Sequence, residues 1–288
     1  MNLIVVLICL GLERYLNIGV FLNRFKFSQL FVSYISLLKS YLKNESFWKS
    51  WVGLALIVLP PVIVLSILSC LLMRPMHGLL YIVLNVVVLL FCFGPDDLFY
   101  HIKNYFQFKE TDPKAADEEL AAILGSVIPA DRSTVNRSLT KALFLRANTG
   151  IFSVLFWFIL AGPAGALLYR LITLLYPYAV QNNMTVARPA ELVQQILEWI
   201  PIRITALIYA LVGNFMPSFQ CWLKKIWSGL SGNAVILNEC GLAALGADVQ
   251  DEADADMDEN RETAALIDRA LIVAVVLIAL STLSSLVY

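Results

Sequence analysis

Apolar residues in this chain gather into long uncharged runs instead of recurring at a helical or strand period. The run from Trp51 to Met73 carries no charge. At a rise of about 1.5 Å per residue it is long enough to cross a hydrocarbon core roughly 30 Å thick. Pro60 and Pro61 sit in its middle, where each removes a backbone donor. They predict a kink whose freed carbonyls neighbouring segments must shelter. A second run, Gly78 to Phe93, follows so closely that Arg74 to His77 leave room only for a tight hairpin loop, which makes the two runs antiparallel neighbours. A third run extends from Ile151 to Tyr176, interrupted only by Arg170, and a fourth, Ala270 to Val287, is free of charge. These runs predict an all-α, polytopic helical membrane protein with four spans.

Two further apolar segments are ambiguous and leave a fifth and a sixth crossing open. Leu3 to Leu12 stops at Glu13 and Arg14, and it lacks the basic start and small-residue cleavage site of a signal peptide. Leu192 to Phe215 carries Glu198, Pro201 and Arg203, and it reads as a helix lying in the interface or re-entering against the bundle. The predicted organisation is an apolar and basic amphipathic segment (1–50), a hairpin of two spans (51–94) and a helical cytoplasmic segment (95–150). A third span (151–176), interfacial or re-entrant helices (177–247), an acidic linker (248–269) and a fourth span (270–288) follow. Arg14, Arg24, Lys26, Lys39, Lys43 and Lys49 precede the first span, against Glu13 and Glu45. Basic excess of this kind places the amino-terminal segment in the cytoplasm. Counting crossings puts the 96–150 segment there too.

That cytoplasmic segment carries its own folding signals. Asp112 before Pro113 marks a helix start, an acceptor at the N-cap followed by a residue whose missing N–H costs nothing there. The helix ends near Gly125, and a second runs from Ser133 toward Asn148. Arg137, Lys141 and Arg146 form a basic strip on it, suited either to anionic lipid headgroups or to a ligand phosphate. In the acidic stretch Asp248 to Glu262, Asp254, Asp256 and Asp258 copy the opening of a calcium loop, but Glu259 stands where the loop needs glycine and Ala265 where it needs glutamate. A solvated, mobile linker is the expectation.

Composition agrees with the pattern: 59% hydrophobic, 15% charged, mean hydropathy +0.73. The balance of 21 basic to 22 acidic residues gives no nucleic-acid footprint, and the bilayer is the expected partner. The five cysteines, at 9, 70, 92, 221 and 240, include no closely spaced pair, and two histidines are too few for a metal ligand set. No phosphate-binding loop, dinucleotide turn, H-E-x-x-H helix or nucleophile elbow is present, so no cofactor is expected and a nucleotide would have to bind without such a loop. Polar residues inside membrane-like sequence carry the remaining signal. Arg170 and Arg203 suit either snorkelling to an interface or a shared cavity that takes an anionic small molecule, with Glu13 and Arg14 as partners.

Three blocks give the sequence a family likeness. LFWFILAGPAGALLYRL from Leu155 to Leu171, EWIPIRITALIYALVGNF from Glu198 to Phe215 and the opening Leu12-Glu13-Arg14 resemble the signature blocks of AmpE proteins. The resemblance covers essentially the whole chain. It implies a multi-pass protein of the bacterial inner membrane, linked to the AmpD amidase of cell-wall recycling and to induction of β-lactamase. The same blocks resemble the CobD and CbiB enzymes, which attach the aminopropanol arm or its phosphate in cobalamin biosynthesis. Those enzymes carry an acidic E-T-x-x-E-N-x-x-D stretch just before the Phe-Trp block. Here that place reads ALFLRANTGIF, Ala142 to Phe152, which keeps Asn148 and lacks every carboxylate. The departure favours a regulator over a divergent amide-forming enzyme.

Overall fold

A computed structural model describes residues 2–16, 27–41, 50–72, 78–93, 98–124, 132–247 and 257–287. Among the described residues there is no strand. The helices are α1 (Asn2–Leu16), α2 (Phe27–Tyr41), α3 (Ser50–Leu72), α4 (Gly78–Cys92), α5 (Leu98–Thr111), α6 (Pro113–Leu124) and α7 (Arg132–Ala147). After a π-helical turn (Asn148–Phe152) come α8 (Ser153–Gln181), α9 (Ala187–Val212), α10 (Phe215–Lys225), α11 (Asn233–Leu245) and α12 (Met257–Val287).

Four described stretches are long and apolar enough to cross a membrane: Trp51–Leu72, Val135–Gln181, Ala187–Val212 and Asn260–Thr282. The expected number stands, but its membership differs. Gly78–Cys92 makes only 15 residues of helix and falls among the shorter apolar helices. Of the Leu192 to Phe215 segment, the part up to Val212 belongs to the 26-residue helix α9, which is itself long and apolar enough to cross. Its charges dilute the run in sequence, yet their side chains find partners within the protein. Large aliphatic residues stay exposed along these elements, including Ile63, Val64, Ile67 and Leu71 on α3 and Ile272, Val276 and Leu280 on α12. Continuous apolar surface of this kind is solvated by lipid, not water. The chain is a multi-pass membrane protein.

The chain divides into two compact units. The first comprises residues 1–95, 153–198 and 277–288. Its core joins Phe31 and Ile35 of α2 and Ile57 and Val58 of α3 to Leu171, Ile172 and Leu175 of α8, with Val186 and Ala190 alongside. The pairs 31/35 and 171/175 are one helical turn apart, so each helix turns a single stripe inward. Proline at position 61 leaves the Ile57 carbonyl without its i+4 donor, and the Tyr34 hydroxyl supplies the missing bond at 3.2 Å. The sheltering that the two prolines demand thus comes, at this carbonyl, from α2.

In α8, Gly162 adopts φ +66° and ψ −159°, which breaks the helix into 153–161 and 163–181. Only glycine holds that conformation without strain. A Cβ on Gly165 would meet Ala161 Cβ and the Trp157 carbonyl, each at 2.6 Å, so small residues let the chain fold closely about the break. The Gly-Pro-Ala-Gly sequence is therefore a built joint.

The second unit comprises 96–152 and 199–276. Asp112 caps α6 as its sequence predicts, its Oδ1 accepting the N–H of Lys114 at 3.1 Å. His101 Nδ1 of α5 lies 2.5 Å from Glu119 Oε2 of α6, and Asn104 donates to Glu119 Oε1 at 3.0 Å. The core packs Phe144 of α7 and Phe152 of the π turn against Tyr209 of α9, with ring centroids 5.1 and 6.0 Å apart. Two expectations change here. Arg137 is 3% exposed and so belongs to the interior, not to a surface strip for lipid headgroups. Residues 257–269, assigned to the acidic linker, are the first turns of α12. The rest of that stretch, 248–256, lies outside the described residues.

If the Tyr34 hydroxyl serves the carbonyl that Pro61 frees, Tyr34→Phe lowers stability by about 1 kcal/mol in thermal unfolding in detergent. In a Pro61→Ala background, which restores the N–H, the same substitution costs much less. Equal losses in both backgrounds would refute this account.

Candidate functional site

Among the described residues, buried ionisable side chains with their partners in view stand in both units. In the first, the Glu198 carboxyl is 8% exposed, and its Oε1 accepts the Tyr169 hydroxyl and the Gln194 side-chain amide, each at 3.0 Å. Tyr169 comes from α8, and Gln194 lies one turn before Glu198 on α9. Arg170, beside Tyr169 in sequence, is 9% exposed. The adjacent Leu197 carbonyl loses its helical donor to Pro201, and the Trp157 indole N–H occupies it at 3.1 Å. Trp157 and Tyr169 thus fix α9 against α8 at two neighbouring residues. An ionisable group in a span marks function or deliberate structure. Here it holds a carboxyl in an almost water-free place with two neutral donors.

In the second unit Arg203 is 5% exposed. Its guanidinium spends all five N–H groups within the protein. Nε donates to the Ile226 carbonyl at 2.7 Å. One terminal nitrogen donates to the Trp199 carbonyl at 2.7 Å and to Asn233 Oδ1 at 3.1 Å. The other donates to the Ser228 carbonyl at 2.7 Å and to its hydroxyl at 3.2 Å. The Cζ atom stands 4.0 Å over the Trp199 ring, and the Trp222 indole donates back to the Arg203 carbonyl at 2.9 Å. Ile226 and Ser228 follow the carboxyl end of α10, where helical carbonyls lack partners and the helix dipole is negative. Arg203 therefore acts as a cationic cap on another helix and needs no carboxylate. Beside it lies an apolar groove of about 180 Å³ lined by Trp199, Ile204, Leu207, Trp222 and Trp227, among others.

Asn148, in the place of the acidic stretch, is buried and accepts the Thr205 hydroxyl at 3.0 Å. Nearby in the same unit, Thr140 donates to Asn260 Oδ1 at 3.0 Å, and Asn260 donates to Asn136 Oδ1 at 3.3 Å. These bonds tie the π turn to α9 and α7 to α12. Such turns often mark functional positions. Among the described residues, no group of three or more His, Cys, Asp or Glu side chains stands together to hold a metal ion.

Of the expected site residues, Arg170 belongs to the first unit, and Asn148 and Arg203 to the second. Glu13 and Arg14 fall in α1, with side chains outside the described residues. Sequence reasoning passed over Glu198 and treated it as an interruption. Its signal is a glutamate inside an apolar helix with glutamine four residues before it, a spacing that brings the two side chains together.

A cap role for Arg203 has a measurable consequence. Arg203→Lys cannot reproduce five donors in one plane. It lowers stability by roughly 2–4 kcal/mol, because buried carbonyls are left unpaired. Unfolding in detergent measures the loss. Unchanged stability would point instead to a residue kept for a ligand.

The chain matches the family described as regulatory signalling modulator protein AmpE over residues 1–287. It is also 28% identical over 173 residues to a cobalamin biosynthesis protein CobD from Chromobacterium violaceum, covering 58% of this chain and 55% of that one. A protein of the same name from Stutzerimonas stutzeri is 32% identical over 121 residues, covering 40% and 39%. The chain thus spans about half or less of the length of these curated relatives. No solved structure matches significantly. With spans, joint and Arg203 cap all inside one match running from residue 1 to 287, the chain belongs to the AmpE family.

Proposed function

We propose that this protein is a regulatory or sensory component of the bacterial inner membrane, linked to cell-wall recycling and to induction of β-lactamase. The observation that carries the reading is the match to the regulatory family along 1–287. The AmpD amidase is the proposed functional link, and an anionic small molecule the proposed signal. The region of Asn148 supports regulation over catalysis. The stretch that resembles the enzymes' acidic block keeps its asparagine, Asn148, buried against Thr205, and has Leu143, Ala147 and Ile151 at the positions of the carboxylates. General acid–base or metal chemistry needs carboxylates at those places, and apolar side chains cannot supply it.

A second reading, a divergent enzyme forming an amide in cobalamin biosynthesis, draws on the names of the two CobD relatives. The two readings separate experimentally. Deleting the gene in a bacterium with an inducible β-lactamase shifts induction or muropeptide levels under the regulatory reading, and unchanged levels would defeat it. Purified protein given a cobinamide acceptor, an amine donor, ATP and magnesium yields no product under that reading. Turnover under conditions that support a CbiB enzyme would establish the second.

A further inference from the structure

Helices α10 and α11 form a tightly fastened antiparallel hairpin. At its open end the Asn214 N–H donates to the Ala244 carbonyl at 2.7 Å. A Cβ on Gly213 would stand 2.5 Å from that same oxygen, so the backbones touch there. One turn on, the Ser218 hydroxyl donates to the Cys240 carbonyl at 2.8 Å, and near the closed end Lys225 pairs with Glu239. Between these fastenings the Cys240 thiol donates to Cys221 Sγ, with the two sulfur atoms 3.1 Å apart. A disulfide needs about 2.05 Å, so a shift of roughly 1 Å joins them. Both thiols are free.

The two sulfurs are not equivalent. Cys240 is fully buried in the core of the unit, and Cys221 is partly exposed. The hydrogen bond from Cys240 holds the Cys221 thiol below its ordinary range, with Lys225 and Lys224 acting in the same direction against burial and Glu239. The same bond and burial push Cys240 up. Thiolate character and access together make Cys221 the attacking sulfur and Cys240 the resolving one.

We propose that Cys221 and Cys240 are a thiol–disulfide exchange site whose substrate is a small or protein disulfide. The Cys221 thiolate attacks one sulfur of the incoming disulfide and displaces its partner as a thiolate, leaving a mixed disulfide on Cys221. Cys240 then gives up its proton, and its sulfur attacks Cys221 Sγ and expels the second thiolate. Two electrons pass from the cysteine pair to the substrate, whose two thiolates take up the two protons released. The new bond ties α10 to α11 just outside residues 226–233, which supply Arg203 with most of its acceptors. Oxidation therefore stiffens the loop that holds the buried cation.

The test uses the full chain carrying Cys70→Ser, which removes an exposed thiol, held in nanodiscs and equilibrated with mixtures of oxidised and reduced glutathione. After an acid quench, alkylation and mass analysis read every cysteine. Alkylation at 221 and 240 falls together by about tenfold or more, with a mass loss of about 2 Da, a peptide linking the two positions and full reversal by dithiothreitol. In Cys240→Ser, glutathione instead accumulates on Cys221. The proposal is overturned if both thiols of the unsubstituted pair stay alkylatable in a mixture that oxidises a reference dithiol. It is also overturned if glutathione remains on Cys221 while Cys240 stays free.

Discussion

Backbone carbonyls robbed of their helical partner by proline set the terms on which this protein packs. In water such a carbonyl is solvated at little cost, but inside a bilayer it must find a donor in the protein. The chain answers twice with an aromatic side chain from a neighbouring helix, Tyr34 for the Ile57 carbonyl and Trp157 for that of Leu197. Each answer fixes one helix against another at a defined height. The register of α2 on α3, and of α8 on α9, follows from these bonds more than from apolar contact, which is poorly directional among side chains as alike as Leu, Ile and Val.

The same rule explains how charges survive in helices made for lipid. Arg203 is compensated by five neutral acceptors, several of them at the negative end of α10. Glu198 is held by a phenol and an amide. Neither group needs an oppositely charged partner, and the two belong to different units. The arrangement suits a protein whose buried polar groups hold helices in fixed relation.

Hydropathy was enough to read the fold class and the span at Trp51–Leu72, because an uncharged run of bilayer length has few other uses. The α6 cap was legible too, since Asp-Pro acts within one turn. The length of α9 was hidden, because Glu198, Pro201 and Arg203 look like a break until their partners are known. Three of Arg203's five acceptors are main-chain carbonyls, at Trp199, Ile226 and Ser228, which carry no mark of residue type. The start of α12 at Met257 was hidden for a related reason, since its first turns are polar and blend into the acidic stretch before them. Arg137 misled in the opposite sense: a basic residue on a polar-looking helix turned out to be interior. The sulfur pair lay beyond any reading of spacing, for the hairpin alone brings positions 221 and 240 together.

Arg203 also bears on how the chain enters the membrane during synthesis. An arginine near the middle of a helix costs the insertion machinery roughly 2.5–3.5 kcal/mol when nothing meets its charge. Its acceptors at Ile226 and Asn233 lie 23 and 30 residues further on. At roughly 5–20 residues per second they leave the ribosome seconds later. Of the five acceptors that meet the charge in the folded protein, only the Trp199 carbonyl, one turn earlier on the same helix, precedes Arg203 in order of synthesis.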